Sequence, residues 1–190
     1  LLVGIFVGGR ATRMGGIAKG MLAAPDTGEP LAARLARLCR EWIAPREIVL
    51  VGDGSAYGSL RLRALADDPR CAGPLGGLVA LLDAGVREDA DTVALATDLP
   101  FVTPDLLRRL ATHPPAEAAV APKIDGFWQP LFARYPSEAA LEVAARGCAG
   151  GSRALHRVLG ALGDRAVELP LSPDEARLLD DWDSPDAIRR

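Results

Sequence analysis

Three short apolar runs rich in β-branched residues, at 2–7, 47–51 and 92–96, recur along the first half of the chain, separated by segments with helical periodicity. A strand with one wet face would alternate polar and apolar side chains. Near-continuous apolar runs therefore read as strands covered on both faces. Between the first two, residues 30–43 bring Leu31, Leu35, Leu38 and Ile43 close to helical spacing with arginines opposite. Residues 75–86 repeat the pattern through Leu78, Leu81 and Leu82. Strands joined through helices pair in parallel, because a parallel connection needs a long crossover. The expected class is α/β, a mostly parallel sheet between two helical layers. At 190 residues, 49% hydrophobic and 25% charged, the chain suits one domain spanning 1–190 rather than two domains or a disordered segment.

The second half reads less cleanly. A helix is expected from 105 to 112 behind Thr103-Pro104, which supplies a cap and a first-turn proline, then a turn at Pro114-Pro115 and a strand at 118–121. Residues 127–135 read as a strand interrupted by Pro130, hence at a sheet edge or a bulge. Helices are expected at 137–145, capped by Ser137, and at 152–162. Short strands follow at 166–169 and 177–179, and a last helix starts at Ser184-Pro185.

With 22 basic and 25 acidic residues the net charge is -3, which gives no electrostatic footprint for a nucleic-acid backbone. Residues 1–7 are too short for a signal-peptide core, and no stretch approaches the roughly 18 apolar residues of a membrane helix. Cys39, Cys71 and Cys148 are odd in number and lack Cys-x-x-Cys spacing, so no disulfide framework is expected and a reducing cytoplasm fits. Cys71 reads as a small apolar filler.

Ligands of open α/β sheets sit beyond the carboxyl ends of the strands. The loop after the first strand reads Val7-Gly8-Gly9-Arg10-Ala11-Thr12-Arg13-Met14-Gly15-Gly16-Ile17-Ala18-Lys19-Gly20. Its glycines permit close backbone approach, and its amides, two arginines and lysine donate to phosphate. It is neither a Walker A loop nor Gly-x-Gly-x-x-Gly. A glycine-rich turn with solvated arginines is the plain alternative. The third strand ends in Thr97-Asp98-Leu99-Pro100. A carboxylate there is costly unless it is paired or holds a cation. Asp98 as a helix cap is the weaker option, because Thr103 already supplies one. Together the two loops fit nucleotidyl transfer, in which charge grows on the transferred group and on departing pyrophosphate. Such a reaction needs Mg²⁺, cationic donors and in-line positioning, and no covalent enzyme intermediate.

These segments resemble the molybdenum cofactor guanylyltransferases, within the nucleotidyltransferases that open with Gly-Gly-x-x-x-Arg-Met-Gly-x-x-Lys. Gly8-Gly9, Arg13-Met14-Gly15 and Lys19-Gly20 follow that signature. Gly73-Pro74-Leu75-Gly76-Gly77-Leu78 is similar to the family's Gly-Pro-Leu-x-Gly-Leu segment, and Asp98-Leu99-Pro100 to its Asp-x-Pro metal segment. Gln129-Pro130-Leu131 matches a segment near the acceptor, and Asp181-Trp182-Asp183-Ser184-Pro185 matches a terminal Asn-x-Asn-Thr-Pro. The resemblance implies a Rossmann-like three-layer α/β/α fold that transfers GMP from Mg·GTP to molybdopterin-bound molybdenum, giving the guanine dinucleotide cofactor and pyrophosphate. It implies Arg13, Lys19 and Asp98 as catalytic. Val7, Gly8, Gly9, Arg13, Gly15 and Lys19 would surround the triphosphate, and Gly73, Pro74 and Leu75 would border the guanine with Asp67 or Asp68. Asp98 and Asp183 would hold Mg²⁺, and Gln129 and Arg153 would meet the acceptor. Transient contacts with molybdenum-insertion or molybdoenzyme chaperone proteins follow from the same resemblance. Two departures stand out: Val7 replaces a small Ala, and Asp181 and Asp183 replace asparagines.

Among the remaining residues, Trp42 and Trp182 read as packing, Trp128 as packing or as a face for a flat pterin, Lys123 as a solvated loop charge, and His113 and His156 as surface histidines. The alternative activities are a cytidylyltransferase for the same cofactor, another small-molecule nucleotidyltransferase of this fold, and a non-catalytic nucleotide-binding accessory protein.

Overall fold

A computed structural model describes residues 1–8, 18–71, 73–152 and 154–180. Strand β1 (Leu2–Phe6) is followed, beyond the glycine loop, by α1 (Leu31–Trp42), β2 (Glu47–Val51), β3 (Arg63–Leu65), α2 (Pro74–Arg87), β4 (Thr92–Ala96) and α3 (Pro104–Thr112). Then come β5 (Ala119–Ala121), β6 (Lys123–Ile124), β7 (Phe127–Trp128), β8 (Phe132–Tyr135), α4 (Ser137–Ala149), α5 (His156–Ala161), β9 (Ala166–Glu168) and α6 (Pro173–Ala176). Seven strands form one sheet in the order β3-β2-β1-β4-β8-β5-β9, parallel except for β8, which runs against both neighbours.

The alternation of β1 shows how the layers form. Leu2 and Phe6 face α2, α4 and α5 with Val49, Val51, Leu78, Leu82, Tyr135, Val143 and Leu159. Val3 and Ile5 face α1 and α3 with Leu35, Leu38, Leu50, Val93, Leu106 and Leu110. Both faces of the central strands are dry, as their unbroken apolar runs require. The mostly parallel sheet between helical layers follows the expected class.

Six expectations give way. The segment 127–135 is not one edge strand. Pro130 separates β7, which pairs with β6 in a small hairpin, from β8, which is interior between β4 and β5. Arg134 of β8 is buried, and its guanidinium donates to the carbonyls of Ala111, His113, Pro115 and Ala118 at 2.9, 2.8, 2.7 and 3.3 Å. Ser137 is the first residue of α4 rather than its cap, and its hydroxyl donates to Ala90 O at 2.8 Å. Residues 177–179 form a 3₁₀ turn, not a strand, because the Ser172–Glu175 capping box starts α6 directly before it. The expected helix at 152–162 begins only at His156. Trp42 is 45% exposed rather than packed. Lys123 is not simply solvated: its ammonium lies 4.4 Å from the centre of the Trp128 ring and 3.1 Å from Glu168. The helix read at Ser184-Pro185, and Trp182, lie outside the described residues.

Candidate active site

The carboxyl ends of β1, β2 and β4 converge. The Thr97 hydroxyl, buried, donates to Phe6 O at 3.0 Å and so ties the loop after β4 to the end of β1. Gly52, after β2, has φ of 105°, and a Cβ there would lie 3.0 Å from the Gly8 Cα and N. Only glycine adopts that conformation freely, and only glycine lets the two loops touch through their backbones.

Across this junction Lys19 and Asp98, 79 residues apart, form an ion pair with Nζ 3.0 Å from Oδ2. Their side chains are 26% and 20% exposed, so the pair stands at the mouth of the site rather than in the core. Lys19 opens a 3₁₀ turn, Lys19–Met21, whose buried Gly20 donates its N–H to the Tyr57 hydroxyl at 3.2 Å. Burial pushes the Tyr57 phenol above its ordinary pKa. The Gly20 N–H pulls it back, and the Asp98 charge raises it further.

The loop before α2 closes another wall. Gly73, with φ of 71°, caps the helix that Pro74 begins. Gly76 and Gly77 leave room for the loop: Cβ atoms there would lie 2.9 Å from Asp68 O and 3.1 Å from Asp67 Oδ1. The two acids face different ways. Asp67 lies against α2 near Phe6, and partial burial pushes its pKa up. Asp68 accepts from the Arg70 guanidinium and amide, which hold its carboxyl down at about 2. Leu75 is buried in the core, so only its backbone is available to a ligand.

Cys71, in the same loop, is disulfide-bonded to Cys148 in the last turn of α4, with Cα atoms 5.1 Å apart. This corrects the reading of Cys71 as an apolar filler and of a chain without disulfides. An odd count is compatible with one bridge plus the buried free Cys39, and the fold closes the 77-residue separation. Cysteine usage therefore does not point to a reducing compartment.

Beyond Asp98, a cleft of about 260 Å³ is lined by Ala96, Asp98, Leu99, Gln129, Leu131 and Phe132, among others. Gln129 donates its backbone N–H to Pro122 O at 3.0 Å. The fold thus brings Val7, Gly8, Lys19, Asp98 and Gln129 to one end of the sheet, with Asp67, Gly73 and Pro74 on the α2 side. Gly9, Arg13, Gly15, Arg153 and Asp183 lie outside the described residues. Nothing local in the sequence marks Tyr57, and for Gly52 the one local signal is a glycine directly after an apolar strand.

Among the described residues no three His, Cys, Asp or Glu side chains converge on one point. A single carboxylate at a strand end fits a divalent cation that arrives on phosphates, since Mg²⁺ commonly takes one or two protein carboxylates and completes its shell with phosphate and water.

A family model for the MobA-like NTP transferase domain matches residues 3–165. The chain belongs to the MobA-like NTP transferase family. A molybdenum cofactor guanylyltransferase of Pseudomonas putida is 33% identical over 189 residues, covering 97% of this chain and 94% of that protein. The crystal structure of molybdopterin-guanine dinucleotide biosynthesis protein A from Archaeoglobus fulgidus superposes with a TM-score of 0.72 at 24% identity, covering 100% of this chain and 96% of that one. The 2-C-methyl-D-erythritol 4-phosphate cytidylyltransferase of Thermus thermophilus has a TM-score of 0.68 at 15% identity, covering 98% and 94%. As a family member the chain is a nucleotidyltransferase with the Rossmann-like fold. None of its described helices is long and apolar enough to cross a membrane.

Proposed function

We propose that this protein transfers GMP from GTP to molybdopterin-bound molybdenum cofactor, releasing pyrophosphate. The observation that carries the reading is the Lys19–Asp98 pair where the β1 and β4 loops meet. An acceptor phosphate oxygen bonds to the α-phosphorus of GTP, and the bond from that phosphorus to the bridging oxygen of the β-phosphate breaks. Lys19 lies against the negative charge that grows during this exchange. Asp98 would hold Mg²⁺, which when bound neutralises phosphate charge. Lys19 and Asp98, which here neutralise each other, would serve the phosphates and the cation respectively.

Val7, Gly8, Gly9, Arg13 and Gly15 complete the triphosphate cradle. Gly73, Pro74 and the Leu75 backbone border the guanine. Of the two adjacent acids, Asp67 is the better candidate for the nucleotide, because Arg70 already engages Asp68. Gln129 lines the acceptor cleft, with Arg153 and Asp183 supplementing acceptor and metal. In this reading residues 1–190 act as one catalytic unit in the cytoplasm, and product passes through transient contacts to molybdenum-insertion or chaperone proteins.

Calorimetry with Mg²⁺ and GTP, CTP, ATP or UTP tests the nucleotide, and GMP transfer by Asp98→Ala tests the site. Selective GTP binding is expected, with a turnover loss of order 10²–10³ for Asp98→Ala, the usual effect of removing one preorganised electrostatic group. A preference for CTP would move the reading to a cytidylyltransferase. Unimpaired transfer by Asp98→Ala would overturn the assignment of Asp98.

A further inference from the structure

Tyr57 sits on the 3₁₀ turn Ser55–Leu60 that follows β2, with only 2% of its surface exposed. Its ring belongs to the apolar cluster of the α1 face. For filling that space a phenylalanine would serve as well, and would not bury a hydroxyl, which is costly unless bonded. The hydroxyl is bonded, and to an informative partner. It accepts the N–H of Gly20 at 3.2 Å, from the peptide unit that joins Gly20 to Lys19. That unit is planar, so anchoring its nitrogen fixes the carbonyl of Lys19 and the direction in which the Lys19 backbone leaves it. The same ring edge and hydroxyl occupy the place of a side chain at position 20: a Cβ there would lie 2.8 Å from Cε1 and 2.9 Å from the oxygen. Tyr57 and Gly20 therefore seat one against the other, one residue away from the ammonium that meets Asp98 at 3.0 Å.

We propose that Tyr57 is a positioning residue for Lys19, its hydroxyl locking the Lys19–Gly20 peptide so that the ammonium is delivered to the reacting phosphates. The inference rests on the role of Lys19 given under Proposed function. Nothing on the aromatic ring need touch substrate. What the hydroxyl supplies is the direction of a long side chain with several rotatable bonds at the moment charge develops.

The test compares wild type, Tyr57→Phe, Lys19→Met and the double variant for GMP transfer from Mg·GTP to molybdopterin, with kcat, KM for GTP and melting temperature measured for each. Tyr57→Phe keeps the ring and should fold. It is expected to lower kcat about five- to tenfold, the worth of one ordinary hydrogen bond, with KM for GTP changed less than about twofold. The double variant should be no slower than Lys19→Met alone, because the hydroxyl acts only through Lys19. A merely structural tyrosine would lower the melting temperature and leave the kcat of the folded enzyme unchanged. An impaired Lys19→Met beside an unimpaired Tyr57→Phe, or losses that multiply in the double variant, would overturn the proposal while leaving the function intact. Full activity in Lys19→Met would instead overturn the role of Lys19 itself, and this proposal with it.

Discussion

Removing the Cys71–Cys148 bond, by the paired substitution Cys71→Ser and Cys148→Ser, isolates a cross-link between the loop that leads into α2 and the end of α4. The two cysteines are 77 residues apart, and loop-closure entropy for a ring of that size comes to about 4.5 kcal/mol at 25 °C. Measured native bonds fall below this ceiling, in the range of about 2–4 kcal/mol, because the open unfolded chain keeps some compactness. The folded side should change little. Cys71 N remains bonded to Asp68 O at 3.0 Å and Asp68 N to Gly76 O at 3.1 Å, and α4 still packs on α2. A loss of about 3 kcal/mol is therefore expected, equivalent to a fall of roughly 6–12 °C in melting temperature for a chain of this length. Urea unfolding without reductant provides the assay, with the m-value rising in the variant as the released chain expands. Thiol counting supplies an independent readout. Burial pushes the Cys39 thiol up to about 12, so the native oxidised protein should react with no thiol reagent near pH 8 and should expose only Cys39 on unfolding. Equal urea midpoints for wild type and variant would refute the entropic argument, and two further reactive thiols in the unreduced unfolded protein would refute the bond itself.

Two further outcomes follow from the charges. Arg134→Met strips four carbonyls of a buried charged donor and should cost about 3–5 kcal/mol in urea unfolding, with GTP affinity unchanged because the clamp gathers residues 111–118 away from the Lys19 loop. In carboxyl NMR, Asp68 should titrate near 2, and Arg70→Met should raise it toward the ordinary aspartate range while the residue 70 N–H still holds it lower. Its depressed pKa contributes stability that is present above the unfolded value and lost as pH falls through about 2. Asp67 runs the other way: its raised pKa penalises the folded state at neutral pH, a penalty relieved as acid protonates it. An Asp68 titration unmoved by Arg70→Met would refute the pairing.

The central strands could be read because burial on both faces leaves its mark residue by residue. At 47–51 and 92–96 the strand bounds agree with the apolar runs. Where a segment's environment depends on what pairs with it, that local mark disappears. Phe132 to Tyr135 sits deep in the sheet, yet the proline just before it reads as the mark of an edge or a bulge. Only the carbonyls gathered from residues 111–118 explain why a guanidinium is tolerated there. Strand β3, three residues long and mostly exposed, carries no periodicity to detect. The Ser172–Glu175 capping box, by contrast, is written plainly in the sequence and starts a helical turn where the apolar residues after it suggest a strand.

The site divides along the same line. Glycine pairs, a rare lysine and an acid ending an apolar strand announce themselves, because each is an unusual choice for its local setting. The fold then brings Lys19 onto Asp98 without any further local cue. Tyr57 announces nothing: a tyrosine near a strand end is indistinguishable from core until its hydroxyl is found on the amide beside Lys19. The same holds for Cys71 and Cys148, whose pairing depends on α4 lying across α2. Groups that meet substrate must differ chemically from their surroundings, and so stand out in one dimension. The groups that orient them need only fit, and the fit exists only once the sheet has gathered its loops.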